Sequence, residues 1–295
     1  TAEDMGVELR QRLLAMPEDT RRYGHLHLME PHQPYTPPEE YLDGLDALGE
    51  IPYDLTTSDG HNEAVYDLIR GRLSPAAANL TVTHMRMRYR ASLRYLDDQL
   101  QAVWASLEAD GLLDDTLVVV WTDHGEQFME HGYQAHAWTL YDDEAAAALF
   151  FWSENLVAGR HDGPTSGIDM APTVLASLGV HSMAPMEGLP FDQVPADRPR
   201  FLTSWGKAGM FQAVVTPTHK LHFGWTDPDN APVFAPVGHG VTVFDRAADP
   251  LELSGTFDAS DPTTQALWGL LLPHIGATLP HTKHVPHWPD GLPTY

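Results

Sequence analysis

Hydrophobic residues recur every three to four positions over two long stretches of the chain. Over residues 2–16 this spacing predicts an amphipathic helix. Over residues 82–107 it continues far longer and predicts the main helix, with Gly111 just beyond its end as a candidate C-cap. Shorter helices are predicted at residues 63–70, 168–178 and 263–275.

Other segments carry strand patterns. Residues 23–29 alternate between apolar and polar side chains, which predicts a half-buried strand that leads into a proline-dense loop at 30–38. Residues 116–121 and 147–152 are continuous apolar runs, typical of parallel strands covered on both faces. We therefore expect a doubly wound α/β sheet in which 117–121 is an interior parallel strand.

The pattern changes after residue 200. Short strand-like pieces separated by turn residues predict a small antiparallel sheet, with strands at 200–204, 210–215, 219–223 and 241–245. Two parts follow from this change: an α/β domain over 1–200 and a smaller C-terminal subdomain over 201–295 that includes the last helix. The tail at 280–295 is rich in Pro and His and is expected to wrap over the surface.

The composition excludes several functions. With 41 acidic and 17 basic residues the net charge is −24, which argues against a nucleic-acid partner. An acidic, Lys-poor chain fits a salt-loving organism and an ordinary acidic protein equally well. The 295 residues include no cysteine, so disulfides, thiolate metal sites and a cysteine nucleophile are excluded within the chain. No membrane segment or signal peptide is recognisable, which favours a cytoplasmic location.

A candidate metal site lies directly after the predicted strand 117–121. Asp123 and His124 supply a carboxylate oxygen and an imidazole nitrogen, which divalent cations accept, and Gly125 lets the backbone turn tightly. The alternative is an Asp that caps the next turn beside a surface His. Because ligand crevices lie outside the carboxyl ends of strands in open α/β sheets, position favours the metal.

Three further histidines are candidates for the same chemistry. His131 and His136 follow shortly and could be further ligands or contacts for an anionic substrate. His32 stands in the proline-rich loop, where a stiff backbone would fix a side chain suited to general acid work. Taken alone, each of these is better explained as a solvated loop residue.

Six short motifs together resemble the sulfatase-like family of the alkaline phosphatase superfamily. No single motif is decisive, but they stand in the family's order between residues 29 and 252. They are the proline-rich loop from Met29 to Pro38, the helix segment from Tyr89 to Asp97, the run from Asp110 to Gly125, Glu130-His131-Gly132, the segment from Asp169 to Leu175, and the segment from Val243 to Glu252. The resemblance implies a predominantly parallel sheet flanked by helices, with a small antiparallel C-terminal subdomain.

The resemblance also implies roles for particular residues. Asp123 and His124 match one pair of metal ligands, with calcium expected first and manganese or zinc next. His32 matches a histidine that contacts the transferred group and protonates the leaving oxygen. His136 stands where many members have an anion-binding Lys, which is a departure from the family pattern. We expect His32 and His136 to converge on one cleft with Asp123.

The family's nucleophile motif, Cys/Ser-x-Pro-x-Arg, is absent from the sequence, and so is its opening pair of Asp ligands. A second departure is the Ala-rich stretch at 145–148, where members usually carry Arg-Val-Pro. The first expectation is hydrolysis of sulfate esters of small molecules or glycans, by a chain that is inactive without a companion N-terminal segment or an unusual oligomer. The alternatives are a phosphate mono- or diesterase, a phospho-group transferase of the same fold, and a non-catalytic relative.

Overall fold

The structure is a computed structural model that describes residues 2–181, 184–206, 209–226, 240–278 and 291–292. Its α-helices are α1 (Ala2–Ala15), α2 (Ser58–Ile69), α3 (Pro75–Ala109), α4 (Asp142–Ala145), α5 (Met170–Ser177) and α6 (Pro262–Thr278). Its strands are β1 (Val118–Trp121), β2 (Gln127–Phe128), β3 (Gln134–Ala135), β4 (Leu149–Trp152), β5 (Arg200–Gly206), β6 (Gly209–Val215), β7 (His219–Thr226) and β8 (Gly240–Asp245). Short 3₁₀ helices occupy Glu39–Tyr41, Leu45–Leu48, Gly167–Asp169 and Phe191–Gln193.

The chain divides into two compact units that alternate along the sequence. The first unit comprises Thr1–Trp121, Phe128–Ala135 and Leu149–Val157, and the second comprises Thr122–Gln127, His136–Ala148 and Ala158–Tyr295. The predicted domain boundary near residue 200 stays a prediction.

The first unit is built around α3, the long helix that the hydrophobic spacing predicts. It begins seven positions before the predicted start, because Pro75 fits the first helical turn and the Ser74 side chain accepts a hydrogen bond from the Ala77 amide. Helix α1 packs on it so closely that a Cβ on Gly6 would lie 2.2 Å from Val103. The helices predicted at residues 2–16 and 82–107 are therefore confirmed. Within the described residues no helix is long and apolar enough to cross a membrane.

The strand predicted at residues 23–29 is wrong. Leu26 and Leu28 are half-buried while His25 and His27 are exposed, so the predicted faces are correct. No strand in the described part of the chain pairs with this segment, which lies beside α1, where a Cβ on Gly24 would meet Leu9. Alternation reports which side chains face the protein, but it does not supply a hydrogen-bonding partner.

The interior parallel strand predicted at 117–121 is also wrong. Strand β1 pairs antiparallel with β4, and these two strands form a sheet of their own. Val120 and Phe150 lie opposite each other and are 46% and 65% exposed. A continuous apolar run indicates two covered faces, but it does not identify what covers them. Among the described residues β1 has a single partner strand, so apolar side chains remain at the surface.

The second unit contains the small antiparallel sheet predicted after residue 200. Strands β5, β6, β7 and β8 pair in chain order, each antiparallel to the next. Helix α6 covers one face, and its Trp268 side chain is fully buried against Phe223. The four strands and the last helix are confirmed. Nearly all of the predicted tail at 280–295 lies outside the described residues.

Candidate active site

Asp123 and His124 stand in the loop that follows β1. The His124 Nδ1 atom lies 2.7 Å from the Gly125 carbonyl oxygen. A carbonyl only accepts, so Nδ1 carries the proton and Nε2 keeps its lone pair. That Nε2 atom lies 3.7 Å from Asp123 Oδ1, and the Asp123 side chain is 79% exposed. One oxygen donor and one nitrogen donor are thus held close together on an accessible loop.

His136 joins this loop from the other side. Its ring centroid lies 4.1 Å from that of His124, and its Nδ1 donates to Glu126 Oε1 at 3.0 Å. Burial lowers the pKa of the His136 imidazole. The hydrogen bond and the charge of Glu126, with smaller contributions from Glu144 and Asp123, raise this pKa more, so that it lies above its ordinary value. A partly buried, cation-prone imidazole therefore stands beside the Asp123–His124 pair.

The buried carboxylate of Glu144, in α4, organises the backbone around these residues. Its two oxygens accept hydrogen bonds from the Trp138 amide at 3.0 Å, from the Thr139 amide and hydroxyl at 3.1 Å, and from Gln127 Nε2 at 2.6 Å. Its main-chain oxygen accepts the Gly125 amide at 2.7 Å. Burial raises the pKa of Glu144 more than these hydrogen bonds lower it. One side chain thus ties both sides of the loop to α4.

The donor set fits a divalent cation only in part. Asp123 and His124 lie near enough to share an ion, and carboxylate oxygen with imidazole nitrogen is a combination that such ions accept. In the described ranges no group of three or more His, Asp or Glu side chains is placed to hold a metal. The pair supplies at most two ligands from this part of the chain.

His32 belongs to the first unit, whereas Asp123, His124 and His136 belong to the second. The His32 Nδ1 donates to the Gln33 carbonyl oxygen at 2.6 Å, and the side chain is exposed. The expected convergence of His32 and His136 stays a prediction.

The Glu130-His131-Gly132 motif has a structural role in the first unit. Glu130 forms an ion pair with Arg86 of α3, and the same guanidinium donates to the Phe128 carbonyl oxygen at 3.1 Å. The motif is therefore anchored to the long helix. The residue types alone left His131 as a candidate ligand, and nothing in this geometry assigns it that role.

Sequence reasoning missed three charged residues that the structure brings together. Lys220 of β7 is fully buried, and its Nζ lies 2.8 Å from both Asp142 Oδ1 and Glu252 Oε1. A partial signal was present, since Lys220 stands beside the apolar Leu221 in a predicted strand and Glu252 ends a family motif. Charge pairing between positions this far apart in sequence cannot be inferred without the fold.

Comparison with known proteins identifies the family. A family model described as Sulfatase matches residues 3–180, more than half of the chain, and the chain therefore belongs to the sulfatase family. The choline-sulfatase of Rhizobium meliloti (strain 1021) is 27% identical over 169 residues, or 52% of this chain and 31% of that protein. The multifunctional alkaline phosphatase superfamily protein PehA of Trinickia caryophylli is 32% identical over 120 residues, or 37% and 22%. The chain thus spans less than a third of these two relatives.

Solved structures agree on the fold. BT4656, solved with its substrate D-glucosamine-2-N,6-O-disulfate, matches 93% of this chain and 69% of its own with a TM-score of 0.70 and 16% identity. The phosphonate monoester hydrolase of Silicibacter pomeroyi matches 96% and 62% with a TM-score of 0.63 and 22% identity. The predicted sulfatase-like fold class is confirmed.

Proposed function

We propose that this chain contributes the cation-binding and anion-contacting part of an active site that hydrolyses sulfate esters. The observation that carries the proposal is the Asp123–His124 pair. Its Oδ1 and Nε2 atoms are 3.7 Å apart, and the Gly125 carbonyl oxygen accepts from Nδ1, so that in the neutral ring Nε2 is the nitrogen that offers a lone pair. Calcium is the first candidate because of the family resemblance, with manganese or zinc next. When bound, such an ion would polarise the ester oxygens and favour formation of the nucleophile.

His136 is proposed to contact the anionic ester. Its Nδ1 donates to Glu126 Oε1, and Nε2 is the ring nitrogen that we propose contacts the ester. Because the neighbouring carboxylates raise its pKa, a larger fraction of His136 carries a positive charge near neutral pH. A charged imidazole donates a strong hydrogen bond to a sulfate oxygen. This role matches the Lys that many family members have at the same position.

His32 is proposed as the general acid. With Nδ1 donating to the Gln33 carbonyl oxygen, protonation of the exposed Nε2 gives an imidazolium that can donate to a leaving-group oxygen. The stiff proline-rich loop would limit the rotation of this side chain. Sulfate esters with poor leaving groups depend most on such a proton, so they should depend most on His32.

The substrate class is proposed from chemistry and from relatives. An imidazolium beside a metal cation can bind a tetrahedral oxyanion, such as a sulfate monoester, through two of its oxygens. A choline-sulfatase among the relatives and a solved neighbour with a disulfated glucosamine support a small-molecule or glycan sulfate. Two phosphonate monoester hydrolases among the structural neighbours support phosphonate or phosphate esters as the second candidate.

We further propose that the nucleophile comes from a companion polypeptide segment outside these 295 residues. The sequence has no Cys and no Ser-x-Pro-x-Arg motif. The exposed apolar side chains of the β1–β4 sheet give such a segment a surface on which to add strands. A second copy of the chain on this surface is the alternative, and sedimentation of the purified chain distinguishes the two.

Metal binding tests the proposed site directly. We expect calorimetric titration of the chain with calcium and manganese to show binding, and Asp123→Asn to weaken it about 10- to 100-fold, as loss of a ligand or its support does. Asp115→Asn, which changes an exposed carboxylate eight positions upstream, is the matched control and should leave the affinity unchanged. Equal affinities of the wild type and Asp123→Asn would refute the site.

A further inference from the structure

The ion cluster formed by the buried Lys220 and Glu252 and the partly exposed Asp142 lies outside the proposed site and has no role in the chemistry assigned to it. We infer that this cluster is a positioning network that holds the loop bearing Asp123, His124 and His136. The inference rests on the proposed function for its catalytic meaning, although its geometry stands without it. All of its residues belong to the second unit.

The cluster fixes the start of α4 through two hydrogen bonds of Asp142. Lys220 Nζ donates to Asp142 Oδ1 at 2.8 Å, and the Asp142 amide donates to Glu252 Oε2 at 2.8 Å. Both the side chain and the first amide of this short helix are therefore fixed to the antiparallel sheet and to the segment after β8. The preceding Tyr141 adds an aromatic contact, since its ring centroid lies 5.2 Å from that of His222 on β7.

Helix α4 in turn holds the loop through hydrogen bonds to Glu144. The Glu144 main-chain oxygen accepts the Gly125 amide, and its carboxylate accepts donors from Gln127, Trp138 and Thr139. Just beyond α4, the Ala148 oxygen accepts the Thr122 amide at 3.0 Å. Hydrogen bonds to residues 142–148 thus hold both flanks of the Asp123–His124 pair and the segment that follows His136.

The burial of Lys220 explains why its ion pairs can fix the position of α4. A Lys that is fully buried needs its carboxylates in place, because a buried charge left without a partner is strongly destabilising. Such a cluster is no stronger than apolar packing, but its directional bonds admit one placement of the Asp142 amide. The cluster thereby fixes where α4 begins and, through it, where the loop lies.

A single substitution can separate α4 from the cluster. Asp142→Pro removes both the amide proton and the carboxylate, while its ring fits the first position of a helix after an extended Tyr141 (φ −62°, ψ 154°). Lys220 and Glu252 remain paired with each other at 2.8 Å, so no buried charge is left alone. The conservative variant Asp142→Asn keeps the amide proton and an oxygen that can accept from Lys220.

The readout is the nitrogen-15 spectrum of the histidine rings in the full chain, with His124 and His136 assigned by single substitutions. We expect Asp142→Pro to lose the Nδ1-protonated signature of His124 and to shift the His136 signals, and Asp142→Asn to retain both. Asp169→Asn, which weakens a different ion pair of the same unit, should also retain both. The double variant Lys220→Met with Glu252→Met, which leaves no unpaired buried charge, should behave like Asp142→Pro.

Unchanged ring signals in a folded Asp142→Pro or in the double variant would overturn the inference. The same holds if Asp169→Asn alters the rings equally, because the effect would then be a general loosening. Calcium affinity separates this result from the proposed function. If the wild type binds no cation but its ring signals depend on Asp142, the network stands and the proposed metal site fails.

Discussion

Replacing Arg198 by Met should cost the second unit about 3–5 kcal/mol of its free energy of unfolding, the penalty for leaving a buried carboxylate without its partner. Arg198 donates to both carboxylate oxygens of Asp169, whose side chain is fully buried. The amides of Ser166 and Leu189 donate to the same carboxylate at 2.9 Å. Urea denaturation measures the loss. Arg160→Met, which removes an exposed Arg–Asp pair, is the matched control and should cost less than about 1 kcal/mol.

Arg198→Met should also change how the free energy of unfolding depends on pH. Burial raises the pKa of Asp169, but the hydrogen bonds from Arg198, Leu189 and Ser166 and the Arg198 charge lower it more, so it lies below its ordinary value. Its contribution is therefore fully present above the unfolded pKa of about 4 and is lost as the pH falls toward the folded pKa. The difference between wild type and Arg198→Met should narrow below about pH 4. A constant difference from pH 7 to pH 3 would contradict this assignment.

Replacing Gly125 by Ala should displace the loop that bears Asp123 and His124, although the substitution adds only one methyl group. An added Cβ would lie 2.3 Å from the Asp143 carbonyl oxygen and 3.3 Å from that of Ala146. Because both neighbours are backbone atoms, the loop itself must move, and the 2.7 Å hydrogen bond from the Gly125 amide to Glu144 would be lost with it. We expect a stability loss of about 1–3 kcal/mol, typical of overpacking.

The sharper expectation for Gly125→Ala concerns cation affinity, which should fall about 10- to 100-fold because His124 loses its fixed carbonyl partner. Gly269→Ala is the matched control, since nothing lies within 4 Å of an added Cβ there and the position is exposed on α6. It should leave calcium affinity unchanged and stabilise the helix by up to about 1 kcal/mol. If both variants bind calcium as the wild type does, the close approach at Gly125 has no role in the site.

Helices and the C-terminal sheet were predictable because their signals are local. The spacing of apolar residues over 82–107 reports one face of a helix, and α3 (Pro75–Ala109) contains the whole predicted range. Turn residues were predicted to separate strands at 210–215 and 219–223 in an antiparallel sheet, and β6 and β7 pair antiparallel on either side of that turn. The family could be predicted as well, since six motifs in a fixed order are far more specific than any one of them.

Strand pairing was not predictable from the same patterns. The run around Val118–Trp121 carries apolar side chains on both faces, which is the pattern of a strand inside a sheet, yet its only described partner is β4. The segment at 23–29 alternates correctly, but none of the strands that the structure describes pairs with it. A hydrophobic pattern records which surfaces are to be covered, whereas pairing depends on chain that lies far away in sequence.

The two candidate metal ligands could be identified from the sequence, but the hydrogen bonds that hold the surrounding loop could not. Asp123 and His124 follow a strand, so their proximity could be inferred from the motif. The links from His136 to Glu126 and from Glu144 to Gln127 could not, because buried acceptors carry no spacing signal of their own. The cluster around Lys220 joins residues that are 32 and 78 positions away in sequence, as the numbering of Glu252 and Asp142 shows.

The decisive assay is hydrolysis of an aryl sulfate by the purified 295-residue chain, with calcium present at a concentration that saturates it. We propose that this chain supplies cation and anion contacts while the nucleophile comes from a companion segment. We therefore expect no catalytic turnover by the chain alone, under conditions in which calorimetry shows cation binding that depends on Asp123. Repeated turnover by the chain alone, abolished by Asp123→Ala and unaffected by Asp115→Asn, would contradict it.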